Sequence, residues 1–223
     1  MGEARYTTIL ELRSIEHGRI LDGVEDLLLQ TDAGAIVARY HDAPTGDAAV
    51  IWVGGAGGGL DGPAGGLYPR LAGLLVGQGV ASLRLHYRHP NDLIACIFDV
   101  LLGIEYLKKC GRGRVALVGH SFGGAVVISA GAVSQDVVAV AALSSQTRGA
   151  EYVNEISPRP LLLMHGTDDD VLSASCSHEL YEQGGEPKEL LLYPGASHSL
   201  DECRDGIDRD LTAWLRRVLA GVF

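Results

Sequence analysis

The segment Gly119-His120-Ser121-Phe122-Gly123 constrains this 223-residue chain more than any other. It is a G-x-S-x-G pattern, preceded by the apolar, β-branched run 115–118 and followed by the small and apolar run 124–130. A strand that turns sharply into a helix, with a serine at the apex, is the context such a pattern needs. The turn is expected to hold Ser121 in a strained backbone conformation and to lift its Oγ off the strand end. Glycines at 119, 123 and 124 omit the Cβ atoms that would keep strand, turn and helix apart. The helix N-terminus then aims unpaired N–H groups at negative charge forming beside the serine. Pattern and flanks together read as a nucleophile elbow.

The rest of the chain repeats the same strand–helix alternation. Strand-like stretches cover 7–15 and 24–30, and Thr31-Asp32-Ala33-Gly34 signals a turn into a strand over 35–40. A buried strand over 49–53 runs into glycines. Helical spacing of Leu67, Leu71, Leu74 and Leu75 predicts a helix over 67–77, followed by a strand over 80–85. Asn91 is placed to cap a helix to about Lys109, with Ile94, Phe98, Leu101, Leu102 and Leu107 on its buried side. Strands follow at 137–143, 160–164 and 188–193. Ser173 is read as the cap of a helix ending at Gly184-Gly185. A closing helix starts near Ser199, where Ser199 and Glu202 have capping-box spacing. From residue 49 onward this is βαβ spacing, so the expected architecture is α/β: a mostly parallel, doubly wound sheet with an antiparallel N-terminal edge. A chain of this length suits a single domain over residues 1–223.

In such sheets reactive groups collect beyond the carboxyl ends of the strands. The elbow follows one strand. His165-Gly166-Thr167-Asp168-Asp169-Asp170-Val171 follows another, and Pro194-Gly195-Ala196-Ser197-His198 a third. Serine needs a base within hydrogen-bond reach, and the base needs a group to orient it. The chain order Ser, Asp, His supplies all three types, with the choice among the three aspartates open. At these motifs the chain resembles the α/β-hydrolases, over roughly residue 24 to the end. The resemblance implies Ser121 as nucleophile, His198 as base and Asp169 as acid, since the acid stands fifth in H-G-x-x-D. It gives His165 a structural place under that loop, and His120 is read as packing or making a loop hydrogen bond.

Two backbone N–H groups are needed to hold an oxyanion. Phe122 supplies one, and the glycine-rich loop after the strand over 49–53 the other, from Gly55 or Ala56. Gly57, Gly59 and Gly62 also fit G-x-G-x-x-G, but Pro63 and further glycines follow where a helix should begin, and no acid follows the next strand to hold a ribose. Nucleotide binding is therefore not expected. His86 and His89 lack a further ligand at metal-binding spacing and are read as loop residues; no metal and no cofactor is expected. Arg88 and Arg148 follow strands and are candidates for meeting an acidic substrate group.

Only residues 144–160 separate two of the strands, too few for a substantial cap, so the site should be open. In size the chain resembles dienelactone-hydrolase-like and small carboxylesterase members, although Ser121 stands where the former use cysteine. Epoxide hydrolases and haloalkane dehalogenases carry an aspartate there, and prolyl peptidases a large extra domain. The expected activity is cleavage of small-molecule carboxylic esters with short or medium acyl chains. Thioester, lactone or peptide hydrolysis on the same residues, or ligand binding without catalysis, are the alternatives. An ordinary histidine near 6.5 as base implies activity falling below about pH 6 to 6.5.

The formal charge of −10 opposes nucleic acid or an anionic membrane as partner. Residues 115–135 lack charged side chains, but the elbow glycines break them as a membrane span. Cys96, Cys110, Cys176 and Cys203 form no C-x-x-C and read as free thiols in a reducing cytoplasm. Residues 1–6 lead into no long apolar run, so no signal peptide is expected, and Tyr6 stands where a myristoylation signal has Ser or Thr.

Overall fold

A computed structural model of the chain describes residues 10–222. The start of the first expected strand and the readings made on residues 1–6 lie outside the described residues. Among the described residues, nine strands form one sheet in the order β1-β2-β3-β5-β4-β6-β7-β8-β9. Strands β1 (Leu12–Leu21), β2 (Val24–Thr31) and β3 (Gly34–His41) are antiparallel, and β3 pairs antiparallel with β5 (Val80–His86). From β5 the pairing is parallel through β4 (Ala48–Val53), β6 (Arg114–His120), β7 (Val137–Leu143), β8 (Leu161–Gly166) and β9 (Lys188–Tyr193). This is the expected α/β-hydrolase architecture.

Helices cover both faces of the parallel part, and the strands alternate between two cores accordingly. Ile51, Val53 and Leu117 pack on one side with α2 (Leu93–Lys109) and α3 (Phe122–Val133). Val50, Trp52 and Val118 pack on the other with α1 (Pro63–Val76) and α5 (Arg204–Leu219). Each fully buried aliphatic side chain of this kind stabilises the fold by roughly 1.5–3 kcal/mol. The register brings Val53 beside both Leu85 and Gly119, and Leu143 beside Met164. The carboxyl ends of the parallel strands therefore form one row, and the loops that leave them share one rim.

Several local expectations shift. The cap of α2 is Asp92, whose Oδ1 accepts the Ala95 N–H at 3.0 Å, and Asn91 precedes it with φ 68°. Leu102 and Leu107 are buried as expected, with Cys96, Val100, Gly103 and Ile104 beside them, while Ile94 and Phe98 are exposed. Leu74 is also exposed, and the regular part of α1 begins only after Ala64–Gly66, which have left-handed backbone. Helix α4 (Ser175–Gln183) has Ala174 at its cap position in place of the expected Ser173, whose Oγ accepts the Ser175 N–H at 3.3 Å. The Ser199–Glu202 capping box does not form: the Glu202 carboxylate accepts the Ser197 N–H, and a 3-10 turn, Asp201–Cys203, precedes α5. Between β7 and β8 there is one 3-10 turn, Val153–Ile156, and no cap.

Candidate active site

The elbow is built by close contact of three backbone segments. Ser121 has φ 58° and ψ −122°, a conformation side chains rarely adopt. A Cβ at Gly119 would lie 2.1 Å from the Gly123 carbonyl oxygen, and one at Gly123 would lie 2.2 Å from that of Gly54. Only glycine fits at either position. The Ser121 N–H donates to the Leu143 carbonyl at 2.8 Å, tying the turn to β7. Helix α3 begins at Phe122, so its first N–H groups open beside Ser121.

The loop after β8 presents Asp169, whose side chain is fully buried. Its Oδ1 accepts the N–H groups of Val171 and Leu172 at 2.9 and 2.8 Å. Its Oδ2 accepts from His198 Nδ1 at 2.7 Å and from His165 Nε2 at 3.0 Å. Burial would raise the Asp169 carboxyl, but the bonds from Leu172, His198 and Val171 outweigh it and bring it below the usual carboxylate range. Asp168 and Asp170 are exposed beside it.

The loop after β9 carries His198. Its Nε2 lies 3.0 Å from Ser121 Oγ, completing a Ser–His–Asp line. The residue is held from behind by His120, whose Nε2–H donates to the His198 carbonyl at 2.9 Å, with the ring centroids 4.8 Å apart. Burial pushes His120 down to about 4, so it is neutral near pH 7. Of the two expected roles, the loop hydrogen bond is thus present, and it fastens the His198 loop.

The glycine loop after β4 runs past the serine. A Cβ at Gly55 would lie 3.4 Å from Ser121 Cβ, and Ala56 is exposed next to it. The loop is folded by the Gly58 N–H on the Gly55 carbonyl at 2.9 Å. It is anchored by His86, whose Nδ1 accepts the Gly59 N–H at 2.8 Å. That bond gives His86 a structural partner in place of the metal considered for it. Among the described residues no group of three or more His, Cys, Asp or Glu side chains is arranged to hold a metal.

The two arginines part company. Arg88 corrects the expectation that it meets substrate: it turns inward, its Nε and backbone N–H both on the buried Asp99 carboxylate and its Nη1 on the Ala33 carbonyl. With 5% of its side chain exposed, it faces an interior partner. Arg148 is exposed and lines a cleft of about 550 Å³ with Asn91, Leu93, Phe122 and Gln146. The second bond on Asp169 Oδ2, from His165, was not foreseen; the H-x-x-x-D spacing of the two residues is the one sequence signal for it. No helix among the described residues is long and apolar enough to cross a membrane.

Among curated proteins, the chain is 31% identical over 138 residues to the uncharacterized protein YfhR of Escherichia coli K12, a stretch covering 58% of this chain and 47% of YfhR. The matches span less than half the length of these relatives. Among solved structures, it is similar to Est1E from Butyrivibrio proteoclasticus, with a TM-score of 0.77 at 18% identity, covering 87% of this chain and 99% of Est1E. It is likewise similar to a dienelactone hydrolase from Anabaena variabilis, with a TM-score of 0.76 at 16% identity, covering 92% and 99%. At these identities the structural likeness speaks for the fold. Residues 84–216, more than half of the chain and including all of the Ser–His–Asp line, match the dienelactone hydrolase family. The chain belongs to the dienelactone hydrolase family.

Proposed function

We propose that the protein cleaves carboxylic esters of short or medium acyl chains through an acyl-enzyme on Ser121. The observation that carries the reading is the continuous line Ser121 Oγ–His198 Nε2–His198 Nδ1–Asp169 Oδ2, with spacings of 3.0 and 2.7 Å. His198 Nε2 takes the Ser121 proton as Oγ attacks the ester carbonyl. The Asp169 carboxylate accepts from Nδ1, fixes the tautomer and stabilises the imidazolium that forms. The N–H of Phe122 and one from Gly55 or Ala56 hold the oxyanion. His198 then gives its proton to the leaving alcohol and activates water, which releases the acid and frees Ser121. Removing an oxyanion donor of this kind costs about 3–4 kcal/mol in the barrier.

The open rim supports small esters whose acyl part need not be enclosed, with the cleft at Leu93, Phe122 and Gln146 as its seat. Arg148, exposed on that cleft, is proposed to meet an acidic group where a substrate carries one. Lactones are the second reading, favoured by the family match. In this reading residues 1–223 act as one domain, without a cofactor. It keeps the cytoplasmic setting drawn from the scattered cysteines, all of them free thiols.

Fluorophosphonate labelling with peptide mapping, run beside hydrolysis of p-nitrophenyl acetate, butyrate and octanoate, tests the proposal. Label on Ser121 with fastest turnover of acetate or butyrate is expected. Label without ester turnover would redirect the reading to thioesters, lactones or peptides. No label and no turnover would overturn it.

A further inference from the structure

Two histidines, not one, converge on the same oxygen of Asp169. His198 Nδ1 and His165 Nε2 lie 2.7 and 3.0 Å from Oδ2. Their settings differ. His198 keeps 18% of its side chain exposed and has Ser121 on its far nitrogen, whereas His165 has no exposure at all. His165 Nε2 also lies 2.9 Å from the Leu172 carbonyl. A carboxylate and a carbonyl only accept, so Nε2 must carry a proton. On the other side, the buried Ser177 hydroxyl of α4 lies 2.7 Å from His165 Nδ1. The ring is held at both nitrogens, with one N–H aimed at the oxygen that His198 uses.

Each donor to a carboxylate stabilises its charge and makes it a weaker acceptor for the next. We propose that His165, backed by Ser177, is a positioning residue. It fixes Asp169 Oδ2 on the line to His198 and draws off part of the carboxylate's charge, and so it sets how strongly His198 holds a proton. The inference rests on His198 serving as the base. The groups facing His198 are Asp169 and Ser121 on its ring nitrogens and His120 against its ring; Asp169 and Ser177 face His165.

Ring 1H and 15N NMR of the wild-type protein, titrated through the acid range, tests this without any turnover. When His198 gains a proton it binds Oδ2 more strongly, and the His165 Nε2–H resonance should move upfield with the same midpoint. A His165 N–H that stays fixed while His198 titrates would overturn the proposal, as would a folded His165→Leu variant with the wild-type His198 midpoint. His165→Leu is expected to move that midpoint, and the acidic limb of kcat/KM, upward by about half a pH unit or more. His165→Gln, which retains an N–H near the Nε2 position, should return both toward wild type. If His165→Leu does not fold, the wild-type coupling decides. A coupled titration in a protein whose Ser121 neither labels nor turns over would sink the esterase reading, and with it the positioning role in catalysis, and leave only the proton linkage between the two histidines.

Discussion

The N-terminal antiparallel strands and the parallel strands beyond them are parts of one sheet with opposite character. Strand β1 is exposed along most of its length, with Ile20 and Leu21 at 67% and 52% exposure, while β4 and β8 are buried at every residue. The ion pairs Arg39–Asp26 and His17–Glu25 of the first region lie at the surface, where such pairs contribute about 0–1 kcal/mol. In the second region buried carboxylates sit inside with partners, as Asp99 has Arg88 and Asp169 has its four donors. All three residues of the Ser–His–Asp line come from the ends of parallel strands and none from the antiparallel edge. Ser121 and Asp169 leave strands that are almost wholly buried, whereas His198 leaves β9, the partly exposed far edge of the sheet, and is held by its bonds to Asp169 and His120.

Substitutions can test how deep that division runs. The largest effect belongs to Ser121→Ala, which should lower kcat by about 10⁶ with circular dichroism unchanged; retained activity would remove the serine from the mechanism. Asp169→Asn should lower kcat by about 10⁴, whereas Asp168→Asn and Asp170→Asn, on exposed neighbours, should leave p-nitrophenyl acetate turnover near wild type. A greater loss at Asp170 would mean that the wrong carboxylate has been assigned. In the parallel core, Trp52→Ala removes a fully buried ring and should cost roughly 3–5 kcal/mol in urea unfolding.

Acid should weaken the fold through two neutral histidines, the buried His41 and the half-buried His120, one in each region. His41 at the end of β3 is pushed down to about 4 by burial and by Arg84 and Arg39, and His120 is also brought to about 4, against 6.5 for an ordinary histidine. The unfolded chain therefore binds protons that the folded one refuses. The stability from this source is complete above about 6.5 and is lost as pH falls toward about 4. The urea midpoint of His41→Gln should fall less steeply over that interval than that of wild type; parallel slopes would remove His41 as a cause. The smallest effect is expected at the edge: Ile20→Ala should change unfolding free energy by less than about 0.5 kcal/mol. A larger loss there would show that β1 is covered in solution.

The positions of Ser121, Asp169 and His198 were legible because each sits one short loop beyond a strongly apolar strand, and parallel pairing aligns such ends. What escaped depended on partners that no pattern announces. Arg88 reads as an exposed cation until Asp99 is found on the buried side of α2, eleven residues on. The first turns of α2 present a different face from the one their apolar residues suggest, because the helix packs through Gly103, where a Cβ would lie 3.1 Å from Leu85 Cδ1. Glycine carries almost no hydropathy signal, so Ile94 and Phe98 looked better suited to the interior than they are. Strand β1 extends to Leu21, past the expected end at residue 15, because pairing with β2, and not alternation of its own side chains, maintains it.

The crossing of Gly119, Gly123 and Gly54 bears on how this protein can be diversified. Three backbone segments meet there with no room for a single added carbon, so randomising any one of them alone yields mostly inactive or unfolded clones. A library aimed at new substrates should leave that crossing untouched and vary Leu93, Gln146 and Arg148 on the cleft wall, where the one bond at stake is that of the Gln146 side chain to the Arg148 carbonyl.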